Sequence, residues 1–330
     1  MKKWIIVIIA ASMASCSNSG QGNNNQLQGE VDSLKNVIAE MKQVKEHHTV
    51  ETLKPKNIEH VDQLVGLFTG RFEEYPEVVR MKKDVKQFMD SLNEIDEFWM
   101  EEYVVHEYYD KLKAEERKFM YLDPLYGVYA FRNPNAVSIL IEGVEGDSIY
   151  GKSICAGNER PVSGTILPTE EGVYKILLKE PGDDQYDGSF IADFYLEGDS
   201  MTGGFSSYKD DLDAKGFVLK SAEFVYKKDA DEWDLDNMYF GKSISKDSLT
   251  IEDVENQPRH RLRILRNLIF ARHGYSFKKK DVRDYFESHS WYVPISTDVR
   301  NELTAVEEYN IGLIKRYETY AEDYYDEFGR

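Results

Sequence analysis

The residues able to do chemistry here are few in kind. Seven histidines are scattered along the chain, at 47, 48, 60, 106, 260, 273 and 289. None stands in the His-Glu-x-x-His spacing that sets two imidazoles around zinc on one helix face. The two cysteines, Cys16 and Cys155, are too few for a cysteine-based zinc site or a disulfide scaffold. No Gly-x-Ser-x-Gly elbow and no phosphate-binding glycine loop occurs. Acidic residues number 60 against 41 lysines and arginines, a formal net charge of −19. A carboxylate pair for glycoside hydrolysis could sit among so many, but spacing in sequence does not single one out. The expectation is a chain with no catalytic residues, no cofactor and no metal.

One stretch runs against the acidic balance. Arginines and lysines crowd between Arg259 and Arg283, and Asp281 is the one acid there. The first reading is that arginines of this stretch pair with the acidic 302–327 region and the lysines make a solvated turn. The second is that Arg266, Arg272, His273, Lys278, Lys279 and Lys280 collect an anion. The anion would be a lipopolysaccharide phosphate, a peptidoglycan carboxylate or an acidic protein partner. Nucleic acid is excluded by the overall negative charge and by export.

Export is read from the N-terminus. Lys2 and Lys3 precede an apolar run from Trp4 to Ala11, too short to span a bilayer, and Met13-Ala14-Ser15-Cys16 follows. The segment resembles a lipobox with methionine in place of the commoner leucine. That resemblance implies cleavage after residue 15 and a membrane anchor of two or three acyl chains on Cys16. Ser17, rather than aspartate, favours the outer membrane by resemblance to sorted lipoproteins. Cys155 is then left without a partner and reads as a small buried apolar residue.

The elements that must position these residues follow from periodicity. Residues 16–25 are polar throughout and form a flexible tether. Within 26–46, Leu27, Val31, Leu34, Ile38 and Met41 lie on one helical seam, suited to self-association through 27–41 or to packing on the chain itself. Residues 58–122 carry helical stripes, such as Ile58, Val61, Leu64, Val65 and Phe68, and predict a small bundle. From 125 to 227 the period becomes two. Eight strand-like runs begin at Gly127, Val137, Ser148, Val162, Val173, Ser189, Met201 and Phe217, with turn clusters between them. They predict an antiparallel meander, barrel-like or sandwich-like, and the barrel form is similar to the calycins. Residues 228–248 read as a linker, and 249–330 as a small helical module. The fold class is therefore α+β and multidomain.

The last module contains Arg266-Asn267-Leu268-Ile269-Phe270-Ala271-Arg272-His273-Gly274-Tyr275, then Asp281, Tyr285-Phe286, Trp291-Tyr292 and Asn310. It resembles the YARHG domain, with Phe270 in place of the first tyrosine. The resemblance implies a helical module of exported bacterial proteins and brings no catalytic residues with it. From the residues alone, Leu262, Leu265, Leu268, Ile269 and Ala271 form a buried stripe, Gly274 stops the helix, and a second helix runs over 280–288. The expected function is a lipid-anchored, non-catalytic binding or scaffolding protein of the envelope. Two other readings stay open: a carrier of a small apolar ligand inside the β domain, and a hydrolase of wall polymers.

Overall fold

Alternation of apolar and polar residues fixes the centre of the molecule. In Val173–Lys179, Tyr174, Ile176 and Leu178 are buried, and their neighbours are not. In Gly188–Tyr195 the buried set is Phe190, Ala192 and Phe194. Such a period of two turns one row of each strand toward a common core. The computed structural model describes residues 58, 60–91, 105–123, 128–182, 186–209, 214–226 and 242–321. Cys16, the tether, the heptad segment with its self-association seam and residues 228–241 lie outside these.

Eight antiparallel strands close into a barrel. They are β1 (Gly66–Phe72), β4 (Ala136–Glu145), β5 (Ser148–Cys155), β6 (Asn158–Glu170), β7 (Val173–Lys179), β8 (Gly188–Tyr195), β9 (Ser200–Ser207) and β10 (Lys215–Ala222). β4 to β10 form the meander, and β1 pairs with both β10 and β4 to seal it. The barrel form is thus the one adopted, not the sandwich. Its interior is filled by side chains, as eight strands allow. Phe68 meets Phe194 edge-on at 5.5 Å, and Phe190 lies 4.8 Å from Phe205.

The closing strand corrects the expectation of an all-helical 58–122. Residues 66–72 are extended, and the predicted stripe is helical only over Val61–Leu64. Leu64 and Phe68 are buried in the barrel core, so the spacing that suggested one helix face serves a turn of helix followed by a strand. Gly70 permits the strand to lie flush on β10, since a Cβ there would stand 2.1 Å from the Val218 carbonyl oxygen. The run at 127–131 is also reassigned. Tyr129–Phe131 (β3) pairs with Met120–Leu122 (β2) in a separate two-stranded sheet. Helices α1 (Pro76–Ser91), 105–111 and Ala114–Arg117 accompany that sheet, with Met81, Leu112 and Met120 at their shared core.

The C-terminal module has α2 (Arg259–Arg272), α3 (Lys280–Glu287) and α4 (Ala305–Tyr320) around Leu262, Leu265, Leu268, Ile269, Phe286 and Ile314. All five residues of the predicted stripe are buried. The expected linker ends sooner than its composition suggested. Ile244 is fully buried in this core, and the Asn310 amide donates to the carbonyls of Ile244 and Asp247 at 2.8 Å each. Barrel and module belong to one compact unit, Lys56–Arg330.

Candidate functional site

The meander brings one end of every strand to a common rim. Register pairs Arg71 with Ala136, Val137 with Cys155, Cys155 with Asn158, and Phe72 with Phe217. Helix α3 meets this rim with acidic residues. Glu287 Oε2 accepts from the Ala136 backbone N–H at 3.0 Å and lies 3.7 Å from the Arg71 guanidinium. Asp284 is paired with Arg132. The preceding loop adds Ser276, whose Oγ accepts from the Gly157 N–H at 3.0 Å. The module therefore caps one mouth of the barrel.

Burial sets the chemistry of this cap. Glu287 is 1% exposed, and burial lifts its carboxyl from the ordinary 4.5 to about 7, against the Ala136 N–H and the charges of Arg71 and Arg283. Burial likewise raises Asp284, which Arg132 only partly offsets. Cys155, on the rim beneath, has its thiol pushed up to about 12, first by burial and then by Glu287. It is a neutral thiol at any physiological pH and a poor nucleophile.

The cap requires close approach at one glycine. Gly157 has φ +75°, and a Cβ there would stand 2.6 Å from the Lys278 backbone. Gly157→Ala is expected to cost about 2 kcal/mol, combining left-handed strain with displacement of the 276–279 loop. A denaturant titration checks this, with an unchanged midpoint as the contrary result.

The arginine and histidine of the motif face inward. Arg272 is 2% exposed and donates to Ser245 Oγ at 3.2 Å. His273 lies 2.9 Å from Glu307 Oε2 and stacks on Tyr226, whose hydroxyl donates to Glu307 Oε1 at 2.7 Å. Glu307 also accepts from the Thr304 N–H at 2.9 Å as the N-cap partner of α4. Burial opposes its charge, but the bonds from Thr304, His273, Tyr226 and Ser245 prevail and hold the carboxyl below its usual value. Gly274 follows with φ +72°, wedged against Ile295 and Phe224. Residues 238–319 match the YARHG domain. The C-terminal module is a YARHG domain. Its namesake residues here join the chain leaving the barrel to α4.

This geometry corrects the six-residue anion cluster expected from sequence. Arg272 and His273 are internal, and Arg266 makes two bonds to Glu318, at 2.6 and 3.2 Å. The Arg266–Glu318 pair is of the kind the plainer reading of the basic stretch expects. Lys278, Lys279 and Lys280 are exposed, and of the six only Lys280 reaches a cavity between the YARHG domain and the barrel. That cleft, of about 630 Å³, is walled by Phe72–Glu77, by 132–135 and by 214–216. Lys118, Arg132, Lys215, Lys280 and Arg283 line it, against Glu73, Glu74 and Glu77. Glu74 is already tied to Lys82 at 2.5 Å, and Arg132 to Asp284, which leaves four cations against Glu73 and Glu77. The cleft is thus locally cationic on an acidic protein. Its residues come from five separate stretches of chain, so no sequence run announced it.

A comparison with curated proteins finds no match. Among solved structures, apo Caenorhabditis elegans lipid binding protein 8 aligns with 49% of this chain and 96% of its own. The identity is 11% and the TM-score 0.21, a likeness too loose to carry an argument.

Proposed function

We propose that this is a lipid-anchored envelope protein that binds an anionic component in the cleft where the YARHG domain caps the barrel, without catalysing a reaction. The observation that carries this reading is the set of five cations lining that cleft in a chain of net charge −19. Charge of that sign, held in a concave site, strengthens attraction for an anion. The carboxyls raised by burial, Glu180, Asp284 and Glu287, are each hydrogen-bonded or ion-paired, and none lines the cleft. That favours binding over acid–base catalysis. The packed aromatic interior of the barrel likewise favours the cleft over storage of an apolar ligand inside. Cys16 and the polar tether after it supply the anchor and the reach in this account.

Sedimentation of the full chain with isolated envelope fractions at low salt tests the proposal. Lys215→Glu with Lys280→Glu is expected to reduce binding by about tenfold or more, since each cation removes a charge-assisted contact. Lys278→Ser with Lys279→Ser, outside the cleft, is expected to leave binding near that of the parent. Equal binding by all three proteins would contradict the proposal.

A further inference from the structure

We propose that the cleft takes a phosphorylated saccharide, with the phosphate against Lys215, Lys280 and Arg283 and the sugar face against Tyr75 and Phe119. The inference rests on the binding reading above and names its ligand class.

The cationic side is built and underused. Among the described residues Lys215 and Lys280 have no carboxylate ion pair, and Lys215 instead stands over the Phe72 ring at 5.5 Å. Arg283 is 7% exposed, and its Nη1 donates to main-chain carbonyls of Phe277 and Lys278, at 3.5 and 3.0 Å. Its Nε–H is buried with no acceptor. Burial and then the neighbouring Arg132 charge depress the Lys280 ammonium, so these cations are crowded without full compensation. A phosphate monoester brings close to two negative charges and three acceptor oxygens. With more charge and one more acceptor oxygen than a carboxylate, it suits two lysines and an arginine together.

The aromatic lining fits a sugar. Tyr75 is 48% exposed and its ring lies 5.5 Å from that of Phe119, so two adjoining aromatic faces line the cleft, the Phe119 face with Lys118 Nζ 4.8 Å from its centre. Such faces accept the C–H side of a pyranose, while Glu73 and Asn133 supply acceptors and donors for hydroxyls. The volume lies within the roughly 300–1,000 Å³ of small-molecule sites. A lipid tail has no comparable place, because Phe68, Phe190, Phe194 and Phe217 occupy the barrel interior.

Calorimetry of the full chain in detergent tests this, with N-acetylglucosamine 1-phosphate, N-acetylglucosamine and inorganic phosphate as separate titrants. The sugar phosphate is expected to bind at least about tenfold more tightly than either fragment. Lys215→Glu with Lys280→Glu should abolish that binding. Tyr75→Ala, at an exposed position, should bring the sugar phosphate down to the affinity of phosphate alone. A parallel arm with lipopolysaccharide micelles identifies the source: tighter binding there than to the free sugar phosphate assigns a lipid headgroup, and the reverse a soluble ligand. No binding of either phosphorylated sugar, or binding equal to that of inorganic phosphate, overturns the saccharide assignment. If envelope fractions still bind through Lys215 and Lys280, the broader function stands while this ligand class falls.

Discussion

Glu307→Ala is expected to lose about 3–5 kcal/mol of stability, the largest effect of any single substitution considered for the YARHG domain. The side chain is fully buried and gathers donors from three parts of the molecule: Thr304 at the start of α4, His273 at the end of α2, and Tyr226 on the chain leaving the barrel. Removing it strands the buried His273 and takes an acceptor from the half-buried Thr304 N–H and Tyr226 hydroxyl, and a buried group left unpaired costs about 1–3 kcal/mol. Tyr226 adds to the case. Burial and Glu307 lift its hydroxyl to about 12, so it remains a donor at neutral pH. Tyr226→Phe deletes a single bond and is expected to cost only about 1 kcal/mol. Chemical denaturation of the two variants checks the ratio. A Glu307→Ala loss no larger than that of Tyr226→Phe would mean that the carboxylate is not the hub it looks to be.

Glu287→Gln is expected to stabilise the protein at pH 8 by about 2–3 kcal/mol and to change little at pH 4. The carboxyl is ordinary in the unfolded chain and raised to about 7 under the cap. Below about pH 4.5 it is protonated in both states and imposes no penalty. As pH rises from there to about 7, the unfolded chain sheds the proton while the folded chain retains it, and stability falls. Above 7 the full penalty is in place, roughly 3 kcal/mol for a gap of that size. The groups facing Glu287 set the balance: Arg71 and Arg283 favour its charge, and Asp284 and burial oppose it. Its Oε1 has no hydrogen-bond partner, so charge there is poorly accommodated. Glutamine keeps an acceptor for the Ala136 N–H and removes the titration. Thermal melts of parent and variant from pH 4 to 8 measure it, and parallel curves with no gain at pH 8 would contradict it.

Much of the barrel was legible because β4 to β10 carry the period-two pattern between turn residues. β1 was not, since Leu64, Val65 and Phe68 satisfy a helical spacing equally well. Its partners at Ala136 and Val218 lie far away in sequence, where local pattern cannot see them. The YARHG helices and the stop at Gly274 were readable from one apolar stripe and one glycine. The inward turn of Arg272 and His273 was not, because charged residues are rarely fully buried and the usual expectation places them outside. A usable signal did exist. Thr304-Ala305-Val306-Glu307 has the spacing of a capping box, which marks Glu307 as a fixed carboxylate available to a histidine. The cleft had no such signal: Tyr75, Arg132, Lys215 and Arg283 meet only after the barrel closes and the cap docks.

The central claim is that the junction between cap and barrel is where this protein binds. Amide hydrogen exchange of the full chain, with and without solubilised envelope material, locates the contact directly. Slowed exchange is expected at 72–77, 132–135, 214–216 and 280–283, with little change on the outer faces of β7 and β8. Protection confined to those faces, or to α2 and α4 away from the cleft, would contradict it.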